Sequence, residues 1–306
     1  MIPARKIRSL ISNEGSGIEI RPGYKPVAAK ADGFSCLVLD DRPAERIREE
    51  TVQLFPDRPD LAERVESVDL LGAPAKILPL FRSKGGVPGT LSYIISAHNI
   101  EHIPDPVRFL SDCQSLLAPG GSLFLTMPDR RACFDYFRPA STTADLIAAY
   151  LEKRTRPTWT QVFEHRSMAC RLEKEGRELT SFPLGTLPED LTPRRELSES
   201  FAAWKEQMES PDEVYRDAHC HTFSPASLML VLEDLRFLGL VGLEIREICQ
   251  AGEDRNEVYA QLEAPASHSV PLPPGTFYER RHGLLTRLRR EDESFFIDQN
   301  TAPALS

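Results

Sequence analysis

Residues 93–127 constrain the fold most. They join two short apolar runs through a helix that has sequence signals for both its start and its end. Asp105 can cap this helix, and Pro106 fits its first helical position. One apolar stripe runs along the helix at three- and four-residue spacing, and it is formed by Val107, Leu110, Cys113 and Leu117. Pro119-Gly120-Gly121 is expected to end the helix. With strands over residues 93–96 and 122–127, the stretch predicts a crossover between parallel strands.

Further strand and helix patterns surround this unit. Residues 17–20, 34–39 and 64–70 before it, and 241–248 and 257–262 after it, have the composition of short strands. A helix with proline in its first turn is expected over residues 43–55, and another begins at Ser224-Pro225 and ends at Gly239. The alternation predicts an α/β protein with a largely parallel sheet.

The pattern changes between Arg130 and Asp217. Helical stretches over 144–154 and 196–209 are separated by proline-rich turns, with no convincing strand, which predicts a helical insertion. We therefore expect a core formed by residues 1–129 and 218–264, an insertion over 130–217 and a C-terminal extension over 265–306.

Composition excludes several classes of function. The net charge of −9 opposes nonspecific binding to nucleic acid. Six scattered cysteines without a C-x-x-C pair contain neither a zinc-finger nor a thiol-redox motif. The mean hydropathy is −0.32, and neither a membrane span nor a signal-peptide core is visible. From these features we expect a cytoplasmic protein.

Two strings carry a family resemblance. They are S-A-H-N-I-E-H-I-P-D-P over residues 96–106 and L-L-A-P-G-G-S-L over residues 116–123. In this order of strands and helices, they resemble the class I S-adenosylmethionine-dependent methyltransferases, over residues 17–129 and 223–262. The resemblance implies a Rossmann-like, doubly wound sheet of seven strands with an antiparallel last strand. The string M-P-D-R-R at 127–131, with Phe134, Asp135 and Phe137-Arg138, resembles a bacterial subgroup linked to polysaccharide or glycan biosynthesis.

The expected cofactor is S-adenosylmethionine. In a doubly wound sheet the ligand lies at the carboxyl ends of the strands, near the switch in strand order. Asp40 is the first candidate for the ribose hydroxyls, and Asp41 is the second. By the resemblance, four further residues are assigned to the cofactor, the first two of them to its adenine: Asp69, Leu70, Ser96 and Ala97.

The first turn departs from the family pattern. Members show an acidic residue followed by three alternating glycines, whereas this chain reads Glu19-Ile20-Arg21-Pro22-Gly23-Tyr24-Lys25. Glu19 fits the acidic position, which in the family bonds the turn or the cofactor's amino group, and Gly23 fits the second glycine. Arg21 replaces the first glycine, and Lys25 replaces the third. Arg21 could pair with the methionyl carboxylate of the cofactor or occupy its space, and the sequence leaves both open.

Histidines supply candidate acid–base groups. His98 directly follows the fourth strand and could accept a hydroxyl proton as the methyl group moves. With Glu101 and His102 it could also hold a divalent metal, as a comparable E-x-x-E-H set does in some small-RNA methyltransferases of this class. The alternative is a loop-forming role for Glu101 and His102, and we predict no metal site. His219 and His221 could belong to an acceptor pocket, form a metal clip or lie in a polar loop, and His165 could also reach the acceptor.

The combined prediction is O-methylation of a small-molecule or glycan hydroxyl, with His98 as general base and the insertion as acceptor pocket. A basic cluster in the insertion suggests an anionic acceptor, although a solvated helix face would explain the same residues, which are Arg130, Arg131, Arg138, Arg154 and Arg156. The rivals are a catalytically inactive scaffold protein, in which Arg21 and Lys25 block the cofactor, and a methyltransferase acting on RNA or protein.

Overall fold

A computed structural model describes residues 3–209, 215–266 and 272–297. Its strands are β1 (Ser16–Ile20), β2 (Ser35–Asp40), β3 (Leu70–Leu71), β4 (Leu91–Ala97), β5 (Leu117–Pro128), β6 (Cys170–Lys174), β7 (Arg177–Leu179), β8 (Leu191–Pro193), β9 (Glu244–Ala251) and β10 (Glu257–Glu263). Its helices are α1 (Pro3–Leu10), α2 (Ala44–Leu54), α3 (Asp60–Glu63), α4 (Ile77–Ser83), α5 (Pro106–Leu116), α6 (Thr143–Leu151), α7 (Trp159–Ser167), α8 (Leu197–Glu209), α9 (Pro225–Phe237) and α10 (Pro274–Ile297).

The main sheet has seven strands in the order β3-β2-β1-β4-β5-β10-β9. Strands β1 to β5 pair in parallel, whereas β10 is antiparallel to both β5 and β9. This confirms the predicted doubly wound sheet with an antiparallel last strand. The strand order reverses between β1 and β4, which is where sheets of this class bind their ligands.

Helix α5 begins as its sequence signals predict, but it ends at Leu116, so that Leu117, which was expected in its apolar stripe, begins β5. The Asp105 carboxylate accepts a hydrogen bond from the backbone N–H of Arg108 at 3.0 Å, and Pro106 is the first helical residue. Val107, Leu110 and Cys113 are buried in the main hydrophobic core, which α5 shares with α9. A second apolar cluster, which includes Ile7 of α1, covers the opposite face of the sheet. Burial on both faces holds the strand ends in fixed positions.

Three predicted strands have wrong boundaries, and one of them is β9, which spans Glu244–Ala251 rather than 241–248. The third strand is only Leu70–Leu71. Before it, Val65 packs against α2, and Asp69 makes a single backbone hydrogen bond to Val38 of β2. Strand β5 begins at Leu117 rather than 122, since Pro119-Gly120-Gly121 lies inside the strand, next to an irregularity in its pairing with β4. Gly120 has a φ of +79°, which glycine tolerates without strain. The Pro-Gly-Gly signal therefore marks a distorted strand and not a turn.

The expectation of no strand between Arg130 and Asp217 is also wrong. The insertion contains helices α6, α7 and α8, and it also contains a three-stranded antiparallel sheet in the order β7-β6-β8. Glu175 and Gly176 connect β6 to β7, both with positive φ, as a tight hairpin requires. The two hairpin strands are short and largely polar, so they lack the apolar alternation that would reveal them.

The C-terminal extension contributes helix α10, which packs on α9. The rings of Phe277 and Phe237 stack with centroids 3.7 Å apart, and Arg281 Nε donates to Asp234 Oδ1 at 2.8 Å. The predicted division into core, insertion and extension stays a prediction. Among the described helices, none is both long and apolar enough to cross a membrane.

Candidate active site

The turn after β1 is built around a buried carboxylate. Both oxygens of Glu19 accept the backbone N–H of Val27, at 2.8 and 3.1 Å, and Oε2 also accepts that of Ala28, at 2.9 Å. Burial raises the pKa of this carboxyl to about 7, and the two backbone donors partly oppose the rise. Of the two roles considered for Glu19, the structure therefore shows bonding to the turn.

Arg21 adopts a backbone conformation that usually requires glycine. Its φ is +51°, and its backbone N–H donates to the Leu39 carbonyl at the end of β2 at 2.9 Å. Its guanidinium Nη2 donates to Asp41 Oδ2 at 2.7 Å. Gly23 also has positive φ, and a Cβ added there would meet nothing within 4 Å. Lys25 directs its ammonium over the ring of Tyr24, 5.0 Å from the centroid.

The two carboxylates at the end of β2 differ in environment. Asp40 is fully buried and accepts the backbone N–H and the Nε–H of Arg42 at 3.0 and 3.1 Å. Burial raises the pKa of Asp40, against the lowering effect of the Arg42 hydrogen bonds. Asp41 is exposed and carries the ion pair to Arg21. Both residues lie at the edge where the sequence placed the ribose.

Asp69 does not end a strand, which corrects the premise of its assignment to adenine. It precedes β3, and its Oδ2 accepts the backbone N–H of Val38 at 2.8 Å and the Lys30 ammonium at 2.6 Å. Leu70 is buried in the main core. The turn that does follow β3 begins at Gly72, whose N–H donates to the Asp40 carbonyl at 2.9 Å. A glycine just after an apolar pair was the available signal for this turn.

Ser96 and Ala97 end β4 beside β1 and β5. Ser96 is buried, and its Oγ accepts Nδ2–H of Asn99 at 3.0 Å. Ala97 pairs with Thr126 of β5. Ser96 therefore fixes the start of the loop that carries the histidines.

His98 stands at the end of β4 with φ +46° and a half-exposed side chain. Its Nε2 lies 2.8 Å from Glu257 Oε1, and its Nδ1 lies 3.7 Å from Glu101 Oε1. Burial lowers the pKa of His98, but the Glu257 hydrogen bond and the two carboxylate charges outweigh it, so that the pKa is raised. Sequence reasoning missed Glu257, which comes from β10, far away in the chain.

Glu101, His102 and His219 bring three potential ligand atoms within 4.8 Å of one another. Glu101 is only 3% exposed, and neither carboxylate oxygen has a hydrogen-bond partner among the described residues. His102 Nδ1 lies 2.9 Å from Asp217 Oδ1. This group could chemically hold a divalent ion, with His219 in the place that the sequence gave to His98.

His219 is oriented by a buried carboxylate. Its Nδ1 makes a short hydrogen bond to Oδ2 of Asp135, whose Oδ1 accepts Nη1–H of Arg138 at 2.7 Å. Burial would raise the pKa of Asp135, but the hydrogen bonds and charges of His219 and Arg138 hold it at about 2. In the sequence, Asp135 stands out only as part of the family-like string, and no local signal reveals its pairing with a histidine 84 residues away.

His221 and His165 differ from His219. His221 is 1% exposed and lies beside the ring of Phe223, with centroids 6.3 Å apart. His165 accepts the backbone N–H of His219 at its Nδ1, at 3.2 Å. Burial lowers the pKa of both imidazoles to about 4.

A cavity of about 220 Å³ lies between the strand ends and the insertion. Its lining includes His98, Glu101, His102, Phe134, His219 and Glu257. The structure therefore brings His98 and His219 to one cavity, whereas His221 does not line it.

Most arginines of the predicted basic cluster are already paired with carboxylates. Arg130 pairs with Asp292, Arg131 with Asp129, Arg138 with Asp135 and Glu164, and Arg154 with Glu152. Arg156 is exposed. These internal pairs remove most of the basis for expecting an anionic acceptor.

The strand order, with polar side chains where it reverses between β1 and β4, is typical of α/β proteins that bind a ligand at this edge of the sheet. Residues 15–237 match a family model described as a methyltransferase domain. The chain belongs to this methyltransferase family, and S-adenosylmethionine is its expected cofactor.

The chain is also similar to curated relatives and to solved structures. An O-methyltransferase of ubiquinone biosynthesis from Xanthomonas euvesicatoria is 29% identical over 135 residues, or 39% of this chain and 55% of that protein. Its namesake from Parvibaculum lavamentivorans is 27% identical over 121 residues, covering 39% of this chain and 47% of that protein. The chain thus spans about half the length of these relatives. An S-adenosylmethionine-dependent methyltransferase structure from Mesorhizobium loti covers 85% of this chain and 96% of its own, at 11% identity and TM-score 0.41.

Proposed function

We propose that this methyltransferase transfers the methyl group to a hydroxyl oxygen of a small-molecule or glycan acceptor. The observation that carries the proposal is the cavity at the strand ends, where two histidines each pair with a carboxylate. The O-methyltransferase names of the partial relatives support the choice of oxygen. The glycan class rests on the resemblance of residues 127–138 noted above.

The residues at this edge fit the cofactor. Gly23 leaves open space beside its backbone, and Arg21 Nε is a buried donor without an acceptor among the described residues. When bound, S-adenosylmethionine supplies an electrophilic methyl group on its sulfonium. Glu19 would keep the turn in shape, and Asp40 would hold the ribose. The insertion would close the acceptor side, because Phe134, Thr180 and Ser181 line the cavity.

We assign the general base to His219 rather than to His98. Asp135 engages Nδ1 of His219, which leaves Nε2 as the nitrogen able to take a proton from the acceptor. By contrast, His98 has Nε2 engaged by Glu257 and Nδ1 near Glu101. The hydrogen-bonded carboxylate would orient His219 and stabilise the imidazolium that forms, and positioning of both substrates would supply much of the remaining acceleration.

The test compares two alanine variants with hydroxyl acceptors that support wild-type turnover. His219→Ala should lower turnover about 10²- to 10⁴-fold, the usual contribution of general-base catalysis, with little change in S-adenosylhomocysteine affinity. His98→Ala is the matched comparison, and its loss should stay below about tenfold if positioning is its main role. The reverse order of losses would return the base to His98.

A noncatalytic scaffold is the second candidate, because Arg21 and Lys25 stand at positions where the family has glycine. Lys25 faces the ring of Tyr24. The observation in favour of the scaffold is therefore Arg21 alone. Calorimetry with S-adenosylhomocysteine separates the candidates, since a blocked site would not bind it.

A further inference from the structure

Arg21 keeps the backbone shape of a glycine turn while adding a positive charge to it. Its φ of +51° is a conformation that costs a non-glycine residue about 1 kcal/mol or more. The hydrogen bond from its N–H to Leu39 fixes the residue between the ends of β1 and β2. The backbone of the turn thus has a conformation usual for glycine, and the turn differs from a glycine-rich one by the Arg21 guanidinium.

The guanidinium retains donor capacity. A guanidinium carries five N–H donors in a planar fork. Nη2 is engaged by Asp41, whereas Nε is buried and has no acceptor among the described residues. A buried donor without an acceptor is costly, so an anionic ligand that reached it would be favoured.

The charge of Arg21 also acts on Asp217, which lies two residues before His219. The pKa of Asp217 is lowered by its hydrogen bond with His102 and, to a smaller extent, by the charges of His102 and Arg21. Asp217 directly precedes the segment that carries His219. The charge of Arg21 on the turn after β1 thus influences both Asp217 and His102, and His102 lines the cavity.

Lys25, which replaces another glycine of the turn, differs from Arg21 in backbone conformation and in the contact of its side chain. Lys25 has a negative φ, unlike Arg21. Its ammonium lies over the ring of Tyr24 and not over Asp41. Lys25 is a control of the same charge in the same turn.

We propose that Arg21 is the recognition residue for the α-carboxylate of the cofactor's amino-acid end, taking the place of the backbone contacts that a glycine turn provides. Asp41 is the positioning residue that holds one edge of the guanidinium and leaves the other donors for the ligand. The inference rests on the family's cofactor and is independent of the acceptor and of the base.

Binding calorimetry on the full chain tests this with two ligands. They are S-adenosylhomocysteine and its decarboxylated analogue, which keeps the amine and lacks only the carboxylate. Arg21→Gly restores the family residue and relieves the backbone strain, so it should fold at least as stably as the wild type. It should bind S-adenosylhomocysteine about 10- to 100-fold more weakly, the range of a hydrogen bond between charged groups, and the analogue equally well. Arg21→Gln, which keeps length without charge, should behave in the same way.

Lys25→Gly is the matched control and should leave both affinities within about twofold. Equal losses for both ligands in Arg21→Gly would assign a merely structural role to Arg21 and overturn the proposal. Unchanged or tighter binding of S-adenosylhomocysteine would mean that the arginine occupies the ligand's space. Failure of the wild type to bind S-adenosylhomocysteine would overturn it as well.

Discussion

Two adjacent carboxylates at the end of β2 show how burial separates the roles of neighbouring residues. Asp40 is fully buried beneath Arg42, while Asp41 is exposed and paired with Arg21. A ribose that bonded Asp40 would replace the hydrogen bond from the Arg42 side chain, which is itself partly exposed. The buried carboxylate offers the stronger acceptor, because few water molecules compete for it.

This contrast yields a prediction for the ribose. Asp40→Ala should weaken binding of 5′-methylthioadenosine by about 1.5 to 3 kcal/mol, the cost of losing a hydrogen bond to a charged group. This ligand carries the ribose without the carboxylate, so the measurement is insensitive to Arg21. Asp41→Ala should change the binding free energy of 5′-methylthioadenosine, measured by calorimetry, by less than about 0.5 kcal/mol, as is usual for exposed positions. A larger effect at Asp41 would make it the ribose ligand.

At the scale of elements, the loop after β4 determines the chemistry of the cavity. Glu101 is buried between His98 and His102, and its charge contributes to raising the pKa of both imidazoles. The leading effects on these groups are burial, which lowers their pKa, and the hydrogen bonds that the imidazoles donate to Glu257 and Asp217, which raise it. Protonated histidines would balance the Glu101 charge without a metal.

The expectation of a site without metal leads to a direct measurement. Dialysis against EDTA should leave turnover within about twofold of the untreated enzyme, because a protonated imidazole has no free electron pair with which to bind a metal ion. Glu101→Gln keeps the size of the side chain, and its turnover should likewise be unaffected by EDTA. Turnover lost on chelation and restored by Mg²⁺ or Mn²⁺ would instead assign a metal to Glu101, His102 and His219, with Asp217 and Asp135 as supporting carboxylates.

Sequence reasoning succeeded where local signals agree and failed where the context is distant. Helix α5 was predicted because its cap, its first-turn proline and its apolar stripe all lie within twelve residues or so. The predicted extent of β3 was wrong and the insertion hairpin was missed, since two-residue pairing and polar strands leave no periodic pattern. The edge carrying Asp40 and His98 was predicted from topology. The pairing of His219 with Asp135 depends on the folded insertion and had no local signal.

At the scale of the whole molecule, buried ionisable groups couple folding to pH. His165 and His221 have folded pKa values of about 4, below the usual 6.5, because burial disfavours their charged forms. Between pH 6.5 and 4, these two histidines bind two more protons in the unfolded chain than in the folded chain. Acidification therefore lowers the free energy of unfolding. Glu19 acts in the opposite direction: its folded pKa of about 7 exceeds 4.5, so the folded state binds the extra proton between those values. The raised pKa values of His98 and His102 affect the free energy of unfolding only above pH 6.5.

At His165, His221 and Glu19 taken together, the unfolded chain binds about one proton more than the folded chain between pH 6.5 and 4.5. The raised pKa values of Asp40, Asp105 and Asp112 reduce this excess towards the acid end. The free energy of unfolding measured in urea should therefore fall by about 1.4 kcal/mol per pH unit on acidification in this window. His221→Asn removes one of the two histidine contributions and should make the profile nearly flat. Glu19→Gln keeps an acceptor for Val27 and Ala28 while removing the opposing group, so it should steepen the profile to about twice the wild-type slope. A wild-type slope retained in both variants would show that other groups control the acid response of the fold.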